Sequence, residues 1–167
     1  GVVLARWSGT QWQPTGFTQS GAGYRLWAPP GGPLYLGTST GVHTWSGTAQ
    51  VRVTTRSVYA LGGTASDLWV QNADATTSRV TDGGVTDVVT PGQHLWAVAT
   101  FGPNDVWVAG ARGLAMHKTD DRFHQVPLPT TADILSVWGT SPTNLWASGT
   151  GGTLLHFNGT QWANVST

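Results

Sequence analysis

Eight aspartates and five histidines are the side chains of this 167-residue chain that could move a proton or hold a metal ion. The acids are Asp67, Asp74, Asp82, Asp87, Asp105, Asp120, Asp121 and Asp133; the chain has no glutamate and no cysteine. Glycoside cleavage needs two opposed carboxylates of separated pKa. The one adjacent pair, Asp120-Asp121, reads as a hairpin turn whose side chains diverge. Serine nucleophile chemistry lacks its Gly-x-Ser-x-Gly elbow. A zinc site needs three or four convergent ligands, and the absence of cysteine removes thiolates and disulfides outright. The glycine-rich segment 149–152 precedes no helix, so it does not cradle phosphate. We therefore expect no catalytic residue, no metal and no cofactor.

The elements that position these residues come from a repeat. Trp146 lies 39 residues after Trp107, Pro142 lies 39 after Pro103, and His156 lies 39 after His117. Trp69 and Asp67 lie 38 before Trp107 and Asp105, and Tyr35 lies 34 before Trp69. A fixed period between 20 and 50 residues means stacked copies of one supersecondary unit. Each copy divides into four short strands, a to d. In the last copy these are residues 134–140, 144–150, 152–157 and 161–166, joined by turn chemistry such as Asn158-Gly159. Four antiparallel strands per roughly 40 residues make the blade of a β-propeller. The predicted fold is all-β, with blades at 17–51, 52–88, 89–128 and 129–167. A strand c–d hairpin at 1–16 precedes them, because residues 3–12 match 154–162 at an offset of 150.

In stacked blades both faces of the middle strands are buried, so large rings fill the space between sheets. Trp27, Trp69, Trp96, Trp107, Trp138 and Trp146 are assigned to this core. Trp12 and Trp162 open outer strands and are expected to cover the edge. Asp67, Asp105 and Asn144 occupy equivalent positions before strand b and are expected to cap their own turns. His117 and His156 share a strand-c position with Arg6, Thr44 and Arg79; a position that exchanges these residues is a poor metal ligand.

Composition agrees. The chain holds 23 Gly and 10 Trp, only 10% charged residues, one lysine (Lys118) and a formal net charge of zero. Zero charge leaves no electrostatic footprint for nucleic acid. No apolar run reaches the roughly 20 residues of a membrane helix. The Gly/Thr/Trp-rich, lysine-poor makeup suggests an exported bacterial protein. There is no signal peptide, and the start at Gly1 without Met suggests processing or excision from a longer chain.

The segments VWGTSPTNLWASGTGGTLLHFNGTQW and DVWVAGARGLAMHK resemble the degenerate propeller repeats of exported bacterial proteins. Residues 81–86, TDGGVT, loosely resemble the hairpin of the Asp-box class, although Asp87 stands where an aromatic belongs. This resemblance implies the propeller fold across nearly the whole chain and says little of activity, since propellers host unrelated functions. A sialidase-like site would use a glutamate, which this chain lacks.

Binding on a rigid scaffold concentrates in loops. The d–a and b–c connections, expected on one face, include 15–23, 38–40, 71–77, Arg112 and Thr150. The connection 71–77 is the longest and most polar of the b–c type, which makes Asn72, Asp74, Thr76 and Thr77 candidate ligand-binding residues, with Arg112 and Thr150. The reading is a non-catalytic binding or scaffold module that contacts a protein or glycan through loop faces. The alternatives are a lectin with one site per similar blade, and a propeller-type hydrolase using Asp74 or Asp133 as general acid or base. Four units and a half cannot form a ring of whole blades, so association with further blades is expected, from a longer chain or from further copies.

Overall fold

The computed structural model describes residues 1–64, 66–88 and 92–165. Position 65 within the second predicted unit, 89–91 at the start of the third and 166–167 at the end of the last lie outside them. The described residues form four four-stranded antiparallel sheets and one two-stranded sheet. The hairpin pairs β1 (Val2–Trp7) with β2 (Trp12–Gln19). The first blade holds β3 (Gly23–Trp27), β4 (Leu34–Thr38), β5 (Gly41–Trp45) and β6 (Gln50–Arg52). The second holds β7 (Val58–Gly63), β8 (Leu68–Asn72), β9 (Thr77–Thr81) and β10 (Gly84–Val88). The third holds β11 (Leu95–Gly102), β12 (Asp105–Gly110), β13 (Ala115–Lys118) and β14 (Phe123–Gln125). The fourth holds β15 (Ile134–Ser141), β16 (Asn144–Gly149), β17 (Leu154–Phe157) and β18 (Trp162–Asn164). Every sheet is a meander in chain order, the arrangement of a propeller blade.

Local chemistry sets the strand ends. Between β17 and β18 the Asn158 carboxamide oxygen accepts from the backbone N–H groups of Thr160 and Gln161, both at 3.0 Å, and Gly159 takes a φ of 94°. Between β1 and β2 the same turn uses Ser8, whose hydroxyl accepts from the Gln11 N–H at 3.2 Å, with Gly9 at a φ of 100°. Both glycines adopt a backbone region closed to most L-residues. Gly110 and Gly149, which end strand b in successive blades, are there for another reason. A Cβ would meet the His94 carbonyl oxygen at 2.0 Å and the Asp133 carbonyl oxygen at 2.2 Å, so the strands can close only on glycine.

The core lies between sheets, and the strand-b aromatic of one blade is buried by the next. Trp69 is 0% exposed and packs among Leu95, Val106, Val108 and Leu114 of the third blade, with the Phe123 ring edge-on at 5.5 Å. Trp107, 2% exposed, packs among Ile134, Leu145 and Ala147 of the fourth blade, with Phe157 at 5.0 Å and Trp162 at 5.7 Å. At the other flank Leu4 and Phe17 of the hairpin cover Leu36 and Leu34 of the first blade.

Several expectations are corrected. Trp138 is 62% and Trp146 37% exposed. They face each other across the β15–β16 pair, on the side turned away from the third blade, and no sheet of the described residues lies over them. Trp27 and Trp96 are only partly buried. Trp27 tilts against Tyr35 at 5.6 Å, and Trp96 stacks on His94 at 6.4 Å. Trp162 is not an edge cover but a core residue, 7% exposed. Trp12 is 68% exposed beside Trp7. The hairpin continues to Gln19 rather than stopping at 16, because Val2 and Val3 pair with Gln19 and Thr18.

The consequence is measurable. Trp107→Ala should destabilise the fold by about 3–5 kcal/mol, the cost of deleting a buried aromatic. Trp138→Ala should stay within about 0.5 kcal/mol, as exposed positions do. Urea unfolding of the two variants checks both; equal midpoints would refute the one-sided core.

Candidate functional site

The long b–c connection of the second blade is shorter than its sequence suggests. Asn72 ends β8 and Thr77 begins β9, so only residues 73–76 form the loop. Asn72 and Thr77 are each 1% exposed, which removes them from the loop surface. Thr77 donates its hydroxyl to the Gln71 side-chain oxygen at 2.7 Å. Asn72 donates its amide to the hydroxyls of Ser78 at 2.8 Å and Thr76 at 3.0 Å. They are the rigid floor of a site whose exposed groups are Asp74 and its neighbours.

Arg56, from the connection between β6 and β7, centres that site. Its guanidinium donates two parallel hydrogen bonds to the Asp87 carboxylate, each 2.6 Å, and its Nε lies 3.4 Å from Asp74. Bidentate pairing of this kind is geometrically specific as well as charge-assisted. Ser78 adds a hydroxyl bond to Asp87 at 2.8 Å, and Asp74 accepts from the Thr76 hydroxyl at 2.6 Å. Hydrogen bonding from Arg56, then from Ser78, holds the Asp87 carboxyl below the usual aspartate range; the Arg56 guanidinium is correspondingly raised. A cleft of about 340 Å³ opens beside the pair, lined by residues 53–56, Asn72, Ser78, Val85 and Asp87. One arginine and two aspartates leave the cluster one negative charge in excess. Residue spacing could not reveal this grouping, because Arg56 and Asp87 are 31 positions apart and meet only when strand d turns into the next blade.

The other candidates assemble separately. Arg112 is exposed at a φ of 56°, and its backbone N–H donates to the Asp133 carboxylate at 2.8 Å. The Asp133 N–H donates to the Thr150 hydroxyl at 3.1 Å, and the Thr150 N–H to the Asp133 carbonyl at 2.9 Å. Asp133 thus ties the b–c turns of the third and fourth blades together. Neither of the acids considered for a hydrolase stands free: Asp74 faces Arg56 and Asp133 binds backbone. No ring lines the Arg56 cleft, so the aromatic platform on which sugars stack is missing there. Among the described residues no group of three or more His, Cys, Asp or Glu side chains is placed to hold a metal ion.

Among the described residues, Asp67, Asp105 and Asn144 make no side-chain bond to the backbone of their own turns, although Asn144 donates to the Thr140 hydroxyl at 2.8 Å. Each crosses to strand c. Asp67 accepts from Arg79 at 2.5 Å, Asp105 faces the His117 Nε2 at 2.8 Å, and Asn144 faces the His156 Nε2 at 2.7 Å. The bonded group then covers the strand-b indole. The Arg79 guanidinium carbon lies 5.7 Å from the Trp69 ring, and His117 stacks on Trp107 at 3.9 Å with 16° between planes. His156 tilts on Trp146 at 4.4 Å. The strand-c position that exchanges His and Arg is therefore a lid on the tryptophan, a role both residues can fill through their flat, polar faces.

Because the native Asp87 carboxyl titrates below its unfolded value of about 3.9, its pairing stabilises the fold above that value. The contribution is lost as the pH falls through the lower native value. Stability of wild type should therefore drop relative to Asp87→Asn below about pH 4, by at most about 1 kcal/mol because both partners are partly exposed. Parallel pH curves for the two proteins would show that the pair contributes nothing.

No family model matches the chain, and no curated protein matches it. Among solved structures it is similar to one described as "YCF48 bound to D1 peptide", with a TM-score of 0.71 and 22% identity, over 90% of this chain and 55% of that one. The chain thus spans about half the length of that structure. The likeness shows the fold, a β-propeller, now supported both by the four-stranded sheets and by the comparison.

Proposed function

We propose that this chain is a non-catalytic binding module that takes an extended, basic segment of a partner protein in the Arg56–Asp74–Asp87 cleft. The observation that carries the reading is the cleft itself. It has a fixed, buried polar floor, a surplus carboxylate and apolar sides from Val53 and Val85. Such a surface offers acceptors to N–H donors and contact to side-chain methylenes. The similar solved structure holds a peptide, by its own description, which supports a peptide over a glycan. A glycan reading lacks an aromatic platform at this site. A hydrolase reading lacks a free acid at its candidate positions, since Asp74 faces Arg56 and Asp133 binds backbone. Two further parts belong to the same proposal. The lysine-poor composition supports an exported bacterial setting. The exposed Trp146 supports association with further blades, since its equivalents Trp69 and Trp107 are each buried by the following sheet.

Selection from a phage-displayed library of random dodecapeptides tests the site. Basic peptides should be enriched, and their affinity should fall about tenfold or more on Asp74→Ala or Val85→Glu, a loss of the size expected for contacts at the centre of an interface. Enriched peptides indifferent to both changes, or binding on a glycan array with no peptide enriched, would overturn the reading.

A further inference from the structure

One buried amide aligns both carboxylates of the Arg56 cleft. Asn72 is 1% exposed, and its side-chain nitrogen donates to the hydroxyls of Thr76 and Ser78. Thr76 in turn donates to Asp74 at 2.6 Å, and Ser78 to Asp87 at 2.8 Å. Two branches from one nitrogen thus hold the acids as a fixed pair, and both acids face Arg56. The fold does not require this relay. By strand pairing, the equivalents of Asn72 in the other complete blades are Thr38, Gly110 and Gly149, and none carries an amide.

The pair is shaped for a guanidinium. Two parallel bonds of 2.6 Å join Arg56 to Asp87. A planar cation with five donors makes that contact, and a lysine ammonium does not. Arg56 is also a loose occupant. Its side chain is 41% exposed and those of Asp74 and Asp87 are 49% and 44% exposed, and ion pairs so open to water are weak. Asn72 lines the cleft, and its side-chain oxygen finds no partner among the described residues. A buried acceptor left in that state is costly. The Arg56 donors go to Asp74, Asp87, Thr76 and Ser78, so an occupant with a spare N–H would answer that oxygen where Arg56 does not.

We propose that Asp74 and Asp87 form a guanidinium clamp, that Arg56 is its resident occupant, and that an arginine of the partner segment binds by displacing Arg56. This rests on the reading of the cleft as a site for a basic segment and adds two things to it. The residue recognised is arginine rather than lysine, and the chain's own arginine competes for the same acids. A site that is filled part of the time binds its ligand more weakly by that fraction, so Arg56 sets the threshold a partner must pass.

Two capped hexapeptides, one alternating Val and Arg and one alternating Val and Lys, serve as probes in calorimetric titrations. Arg56→Gln should bind the arginine peptide about fivefold more tightly than wild type, the gain available from freeing an exposed ion pair. The lysine peptide should gain clearly less. Ser78→Ala, which keeps both acids but releases Asp87 from its alignment, should bring the affinities of the two peptides together in the Arg56→Gln background. A second readout needs no peptide. The carboxyl carbon resonances of Asp74 and Asp87 in Arg56→Gln should move with methylguanidinium at concentrations where methylammonium leaves them unchanged, and they should move less in wild type. Arginine-peptide binding that is unchanged or weaker in Arg56→Gln would overturn the displacement and leave the cleft reading standing. Equal gains for both peptides would overturn the selection of arginine. Failure of both peptides to bind any of these proteins would overturn the cleft reading and the displacement together, and the methylguanidinium shift alone then decides whether the acids form a guanidinium clamp.

Discussion

The fold depends on an indole held between two sheets. Trp69 and Trp107 are each covered on one side by a strand-c side chain of their own blade and on the other by the apolar face of the next. The same-sheet cover is oriented by a carboxylate, so a polar bridge and an apolar contact act on one ring. Neither is large alone. An exposed cation–π contact is worth roughly 0.5–1 kcal/mol, whereas burying the ring supplies several times that. The polar bridge sets the ring's position, and the neighbouring sheet supplies most of the energy.

This arrangement makes stability a nearest-neighbour property, as in other repeat architectures. The exposure of Trp146 and Trp138 is its direct expression. The sequence context of Trp146 is that of Trp107, and its place in strand b is the same. Only the adjoining sheet differs. The rim cleft has a different logic. Arg56 and Asp87 both belong to the second blade's outer region, and their bidentate bond sits over a floor hydrogen-bonded through Asn72, Thr77 and Ser78.

Periodicity made the blades legible, since strands, turns and the Trp–His/Arg register all recur in sequence. Glycine positions such as Gly9 and Gly159 marked turns for a local reason. What periodicity could not convey is which copy of a repeated residue has a neighbour: Trp107 and Trp146 read alike, and their environments differ. Matching aromatic to aromatic also misplaced Trp96 as an equivalent of Trp138, whereas the strand pairing places Ala99 opposite Trp107 as Trp138 lies opposite Trp146. The role of Asp67, Asp105 and Asn144 was hidden by the commoner behaviour of such residues at turns. A constant 12-residue spacing to Arg79, His117 and His156 was the signal that could have exposed it. The Arg56–Asp87 pair joins the connection ahead of β7 to strand β10, and neither residue recurs at the same place in the other blades, so nothing periodic pointed to it.

The one-sided burial of each tryptophan also bears on synthesis. A blade leaves the ribosome with its strand-b indole uncovered, and the cover is made roughly one repeat later. At about 5–20 residues per second, that leaves each ring in solvent for several seconds. During that interval the nascent chain presents one apolar sheet face at its growing end, and that face is renewed with every blade. Chain elongation thus carries a single moving sticky surface from the first blade toward the last, which is where a chaperone would have to be.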